Sequence, residues 1–472
     1  MNCRGKVLPE DFISLMRESL DERECASLFS SFENGEDVVS VRINPLKSIF
    51  SPGSSPEKFA LKIFGENLDA PVKWCPSGFY LKKKISFTAD PYFHCGAYYV
   101  QDASSMFPEI IKKYLTANSS ESASADGKLS GLKLLDLCAA PGGKSTHLAS
   151  MLDDSSLLVS NEAIKKRVLP LMDNMAKWGR SNVVVTSNYS DSFGKLANYF
   201  DVIFADVPCS GEGMFRKSDD AIDGWSIRAV KECAERQRKI VSDVWPALKA
   251  GGIFVYSTCT YNHLEDSDNV RFICDNLDAE VLDSAKFVPG IARGEGQFYA
   301  VLRKNSAGAG DKRYKTPVGI KKENNCNWLG DKYIYVQRAD GMVKAYPKLL
   351  CDDIMFLEKS LNVEASGVAI AIAKGKDFVP YTDLALNNDF KSFESLRQES
   401  SCNNLFPVHE LTKEEALQFL TKRPLVLSQM PNGYIFLTYN GLGLGFVKNP
   451  GNRTNNLLPA GRAIHNLNLV DF

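Results

Sequence analysis

The chain has 472 residues, which is long for one ordinary core and of a size for two to four domains. Its 56 lysines and arginines balance 57 acids, so no global charge marks a nucleic-acid binder and any such argument falls to local charge. MNCRGKVLPEDFISLMRESLDERE at the start carries acids and bases where a signal peptide is apolar, and nowhere do 18 apolar residues run together; the sequence predicts a cytoplasmic protein without a membrane segment.

In chain order, LKKKISF (81–87) gathers Lys82, Lys83 and Lys84, which read first as a solvated turn and second as phosphate contacts. Two stretches have linker composition, TANSSESASADGKLSG (116–131) and NSAGAGDKRYKTPVG (305–319). Between them the strand-like runs LKLLDLCA, LLVSNE, NVVVTS, FDVIFADV and GGIFVYST alternate with the helix-like runs KSTHLASML, KKRVLPLMDNMAKW and AVKECAERQRKIVSDVWPALK. EDSDNVRFICDNL then reads as a helix, and AEVLD and QFYAVLRK as strands. This order predicts an α/β domain built on a doubly wound, mostly parallel sheet. Such sheets bind ligands beyond the carboxyl ends of their strands, and Asp136, Glu162, Asp206, Cys209 and Cys259 all fall at or just past such ends.

LLDLCAAPGGKSTHLAS (134–150) is a strand, a loop of small residues and a helix beginning near Lys144. Its glycines allow a ligand to approach the backbone, and a helix N-terminus favours negative charge. Neither the dinucleotide fingerprint GxGxxG nor a P-loop is matched, so a tight structural turn competes evenly with a nucleotide-like cofactor. Glu162, 26 residues after Asp136, lies where an acid can take two ribose hydroxyls. The 12 cysteines contain no CxxC pair, which argues against a disulfide framework or a zinc ribbon. Cys25, Cys233 and Cys274 lie in helical stretches and read as buried thiols. Cys209 and Cys259 differ, because small or hydroxylic residues follow each; with 5 histidines and none at ligand spacing, catalysis outweighs a metal site.

Together CAAPGGKS, DVPCSGEG and VYSTCTYN resemble the RNA (cytosine-5) methyltransferase family, most closely its bacterial small-subunit ribosomal RNA enzymes. VRINPLK (41–47), GAYYVQDASSMFP (96–108) and GEGQFYAVLRK (294–304) are similar to segments flanking that family's catalytic centre, and GLGFVKNPGNRTNNLLP (443–459) to an added RNA-binding domain. The resemblance implies three parts: an N-terminal RNA-binding α/β domain (1–115), a Rossmann-like class I methyltransferase domain (131–304) and a C-terminal β-rich RNA-binding domain (320–472). It implies S-adenosylmethionine held by Cys138, Ala139, Ala140, Pro141, Gly142, Gly143 and Lys144, with Glu162 on the ribose, Arg167 beside that acid and Asp206 at the methionine end. Where the family often has an Asp near the adenine, VTSNYSDSF offers Asn188.

The implied chemistry accounts for two cysteines. Carbon 5 of cytosine is a poor nucleophile until a thiolate adds at carbon 6 and breaks the aromaticity. By resemblance Cys259 attacks, Cys209 assists release, Asp206 hydrogen-bonds the ring edge and Lys144 supplies a nearby cation. The implied partner is ribosomal RNA or the small ribosomal subunit, with no metal; oligomeric state stays open. Transfer RNA methylation, a non-catalytic assembly factor and, more weakly, a nicotinamide oxidoreductase are the rivals. Residues 421–470 carry Lys422, Arg423, Lys448, Arg453 and Arg462 with no acid, among Tyr434, Phe436, Tyr439 and Phe446, so they read either as an RNA surface or as a β-rich core with a basic exterior.

Overall fold

Among the described residues, eight strands form the central sheet. They are β1 (Lys133–Asp136), β2 (Leu157–Asn161), β3 (Val183–Thr186), β4 (Phe200–Asp206), β5 (Leu248–Thr258), β6 (Ala279–Phe287), β7 (Gln297–Lys304) and β8 (Val363–Ser366), in spatial order β6-β7-β5-β4-β1-β2-β3-β8. Strands β1 to β5 run parallel, whereas β7, β6 and β8 pair antiparallel at the two flanks. The computed structural model describes residues 2–3, 5–35, 37–48, 55–116, 127–305, 326–375, 377–390 and 406–465. Of the two expected linkers, 117–126 and 306–319 lie outside these residues.

Side chains along β4 alternate between two cores. Ile203 and Ala205 face Val241 and Val244 of helix α3 (Ile227–Val244), while Val202 and Phe204 join the core of α1 (Gly143–Met151) and α2 (Lys165–Trp178). Burial on both faces is why these strands read as unbroken apolar runs rather than as alternating ones. A fourth helix, α4 (Ser267–Leu277), follows the loop after β5. The order reverses between β1 and β4, so their carboxyl ends open the crevice in which such sheets bind ligands.

N-terminal residues buttress this crevice. Helices Glu10–Ser19 and Glu22–Asn34 pack on the loops after β4 and β5, with Phe12 4.9 Å from Phe215 and edge-on to Trp225 at 5.4 Å. A four-stranded antiparallel sheet follows, in the order Leu68–Pro71, Gly78–Leu81, Val39–Ile43, Tyr98–Val100. VRINPLK lies on its third strand in that order and just beyond, and three of its polar side chains reach across domains. Buried Arg42 donates to Gly143 O (3.0 Å) and Thr146 Oγ1 (2.6 Å) at the start of α1, Asn44 to Trp178 O (3.2 Å) and Lys47 to Leu386 O (2.6 Å).

The chain after 326 departs from one C-terminal domain spanning 320–472. Strand β8 instead extends the catalytic sheet, pairing Ser366 with Val184, and helix Cys351–Ser360 buries Ile354 and Leu357 in the catalytic core. Pattern reading misses this because a strand of four residues has no period that names its partner. Two further four-stranded sheets remain, Tyr333–Gln337 to Asp377–Pro380 and Val408–Glu410 to Asn455–Asn456. The latter shares a core with the N-terminal sheet: Phe419, Ile435 and Leu437 pack with Val41, Phe79 and Leu81. Phe436 and Phe446 are buried against Phe390 and Phe406, so neither is free to stack on a base. Arg462 is spent on Asp173 of α2 and Asp383. Arg423, Lys448 and Arg453 remain exposed, Lys448 lying 5.3 Å over the Tyr434 ring. Lys82, Lys83 and Lys84 are exposed too, as a solvated turn would be.

Candidate active site

Register brings the two cysteines together. In the parallel pair β4–β5 Asp206 faces Ser257, so Cys209 three residues past one and Cys259 two past the other leave the sheet side by side. Their Sγ atoms lie 2.9 Å apart. Gly213 N donates to Cys259 O at 2.8 Å, and a Cβ on Gly213 would meet that oxygen at 2.8 Å, so only glycine lets the loops close this far. The hydrogen bond with Cys259, followed by burial, pushes the Cys209 thiol well up.

Asp206 ends β4 at the centre of a polar cluster. Lys144 Nζ donates to Oδ2 at 2.7 Å, and Ser257 Oγ and Gln297 Nε2 donate to Oδ1 at 2.7 and 2.9 Å. Gln297, at the start of β7, in turn accepts from Ser105 Oγ at 3.2 Å. Sequence reasoning singled out neither Gln297 nor Ser257. Both lie on predicted strands, and placing them beside Asp206 requires the order β7-β5-β4, which pattern does not encode.

The loop after β1 carries the residues that the resemblance assigns to the cofactor. Gly142 takes φ +114 at the start of α1, and Arg167 Nη2 donates to Ala140 O at 2.7 Å while Nη1 lies 3.3 Å from Glu162 Oε2. Cys138, Ala139, Pro141 and Gly143 follow the same turn, and burial pushes the Cys138 thiol up. Burial also holds the Asp136 carboxyl at about 7. Among the described residues Asp136 Oδ1 and Glu162 Oε2 are buried without a hydrogen-bond partner, the latter with only the ion-pair approach of Arg167. Two such oxygens past neighbouring strands suit a ligand bearing hydroxyl and ammonium donors, which S-adenosylmethionine has. The Asn188 amide donates to Asn362 O (3.2 Å) and accepts from Asn362 N (3.1 Å), which holds the segment entering β8.

A doubly wound sheet closed by an antiparallel β6–β7 pair, with a glycine turn after β1 and an acid after β2, defines a class I S-adenosylmethionine-dependent methyltransferase. The chain belongs to the ribosomal RNA small subunit methyltransferase F family. Residues 129–308 match the model for the 16S rRNA methyltransferase RsmB/F, 8–103 the N-terminal domain of the 16S rRNA methyltransferase RsmF, and 406–464 the methyltransferase RsmF PUA domain. Ribosomal RNA small subunit methyltransferase F of Shewanella loihica is 31% identical over 82% of each chain, and that of Shewanella sediminis 29% over 96% of each. Among solved structures, a methyltransferase homolog protein from Pyrococcus horikoshii is 25% identical with a TM-score of 0.51, covering 63% of this chain and 95% of that one. NSun6 from Pyrococcus horikoshii, solved with SFG, shares the fold at 17% identity and the same TM-score, over 63% of this chain and 98% of that one. No helix among the described residues is long and apolar enough to cross a membrane, and no three His, Cys, Asp or Glu among them could hold a metal.

Proposed function

We propose that this methyltransferase acts on carbon 5 of cytosine in 16S ribosomal RNA, through a covalent bond between Cys259 and carbon 6. The observation that carries the reading is the 2.9 Å contact of two sulfurs beside the Lys144–Asp206 pair. S-adenosylmethionine, when bound, supplies an electrophilic methyl group; the residues of the chain do the rest. Cys209, whose thiol the contact with Cys259 and then burial push well up, stands as a thiol 2.9 Å from the attacking sulfur. Cys259 adds to carbon 6 and its electrons move into the ring, making carbon 5 nucleophilic. Asp206, whose oxygens accept every hydrogen bond they make here, suits the cytosine amino group as donor better than N3. After transfer the carbon 5 proton passes to water, its bonding pair re-forms the carbon 5–carbon 6 double bond, and the carbon–sulfur bond breaks with its pair on Cys259. The Cys209 thiol, again 2.9 Å away, stabilises the departing thiolate by hydrogen bonding.

Bisulfite mapping of cellular RNA with and without the protein tests the substrate. Loss of a signal in 16S RNA is expected, and loss at transfer RNA positions alone would overturn the assignment. The base must be single-stranded or flipped for a thiolate to reach carbon 6.

Glu162 and the glycine turn belong to the catalytic core, so S-adenosylmethionine should bind without RNA. Glu162→Ala should weaken that binding about 10- to 100-fold, since hydrogen bonds to a charged group contribute about 1.5–3 kcal/mol. Calorimetry on the free protein is the check, and undiminished affinity would remove Glu162 from the cofactor site. For RNA, replacing Arg423, Lys448 and Arg453 together by Gln should weaken binding and lower the salt slope by about 2, at roughly 0.7 per phosphate contact on single strands. An unaltered slope would leave these cations as ordinary surface.

A further inference from the structure

We propose that Glu265 is a positioning residue for Cys209 and thereby paces the release of the methylated RNA. This rests on the division of labour between the cysteines argued above, and the acid lies on the other cysteine's loop. Glu265 is fully buried six residues after Cys259, and its carboxylate reaches across to the residue after Cys209. Ser210 N donates to Oε2 at 3.0 Å, and Ser210 Oγ donates to Oε1. Gln237 of α3 donates to Oε2 at 2.7 Å and, with the same nitrogen, to Pro208 O at 3.0 Å. Both chain neighbours of Cys209 are therefore gripped, Pro208 by Gln237 and Ser210 by Glu265. Asn262 completes the set, donating to Glu265 Oε1 at 3.0 Å and to Glu212 Oε1 at 2.8 Å; Glu212 lies three residues past Cys209 and accepts from Tyr261 N at 2.7 Å. Each cysteine's loop is thus bonded to a carboxylate carried by the other's.

Four donors converge on Glu265, and burying a carboxylate carries a desolvation cost that an apolar side chain of the same volume would not. What the acid contributes is geometry. No bond from Glu265 reaches the cofactor turn or Asp206, whereas its bonds to Ser210 fix the backbone that carries the Cys209 thiol. Release needs that thiol within hydrogen-bonding reach of the departing sulfur. Attack needs only Cys259, whose own loop is also tied through Gly213 N.

The test follows a single turnover and the steady state with unmodified 16S RNA and S-adenosylmethionine labelled in its methyl group, and resolves covalent protein–RNA complexes on denaturing gels. Glu265→Ala should lower steady-state turnover tenfold or more and first-turnover methyl transfer less than threefold, and should accumulate a persistent band. Glu265→Gln retains one acceptor oxygen for Ser210 and should fall between that variant and the parent. Ser210→Ala removes one donor, keeps the backbone N–H and should accumulate the band to a smaller extent, which preserves the test if the Glu265 variants do not fold. First-turnover and steady-state rates that fall together without a band would make Glu265 merely structural and overturn the inference. Cys209→Ala is run alongside. A band there but none for the Glu265 and Ser210 variants removes the positioning role alone, whereas no band for Cys209→Ala removes the division of labour and this inference with it.

Discussion

Cys259→Ala should abolish methyl transfer, by roughly 10⁴-fold or more, and leave S-adenosylmethionine binding unchanged. Without an adduct at carbon 6, carbon 5 remains part of an aromatic ring and cannot attack the methyl group, while the cofactor turn lies across the crevice on β1 and α1. Cys209→Ala should behave differently. Cys259 still attacks and the methyl group still transfers, but the departing sulfur has lost the donor that sits 2.9 Å from it, so the covalent complex persists. Labelled RNA on a denaturing gel reads the difference: a stable band for Cys209→Ala, none for Cys259→Ala and none for the double variant. The reverse pattern would exchange the two roles, and full activity in both single variants would leave both cysteines as structural thiols.

Much of this site is legible in the sequence, because it is assembled from strand ends. The runs ending in Asp136, Glu162, Asp206, Cys209 and Cys259 are apolar and β-branched on both faces, the pattern of a strand covered on both sides, and the order of elements implies the shared rim. The second ring of residues is not legible. Gln297 and Ser257 reach the site through strand order and register, Gln237 and Glu265 through the packing of α3 and the loop after β5, and a glutamine at the start of a strand looks like any polar cap. Asn188 shows the converse. Its position past β3 suggests a ligand contact, and pattern gives no sign that Asn362, more than 170 residues later at the entry to β8, exchanges hydrogen bonds with its amide. In the C-terminal part the basic excess is visible in the sequence, but its distribution is not. Whether an arginine faces solvent, as Arg453 does, or is locked between two carboxylates, as Arg462 is, depends on which helix packs against it.

Removing residues 406–472 should cost the protein its fold rather than only its grip on RNA. The sheet Val408–Glu410 to Asn455–Asn456 does not hang from a tether: Phe419, Leu420, Ile435 and Leu437 fill one core with Val41, Ile43, Phe79, Leu81 and Tyr98 of the N-terminal sheet. Losing a buried Leu, Ile or Phe costs about 2–5 kcal/mol each, and a domain's whole stability is about 5–15 kcal/mol, so losing several together exceeds what is there. The same cut leaves Asp173 and Asp383 without Arg462. The N-terminal strand that would be exposed also carries Arg42, which holds Gly143 O and Thr146 at the start of α1, so damage should spread to the cofactor turn. Thermal unfolding and calorimetry check this. The truncated chain should melt at least 10 °C lower or fail to fold, with S-adenosylmethionine binding lost alongside, whereas exchanging Arg423, Lys448 and Arg453 for Gln should alter neither. A truncated protein that melts like the full chain and binds the cofactor normally would mean that the N-terminal sheet closes its core unaided, and the basic C-terminal sheet would then be a separable RNA-binding module.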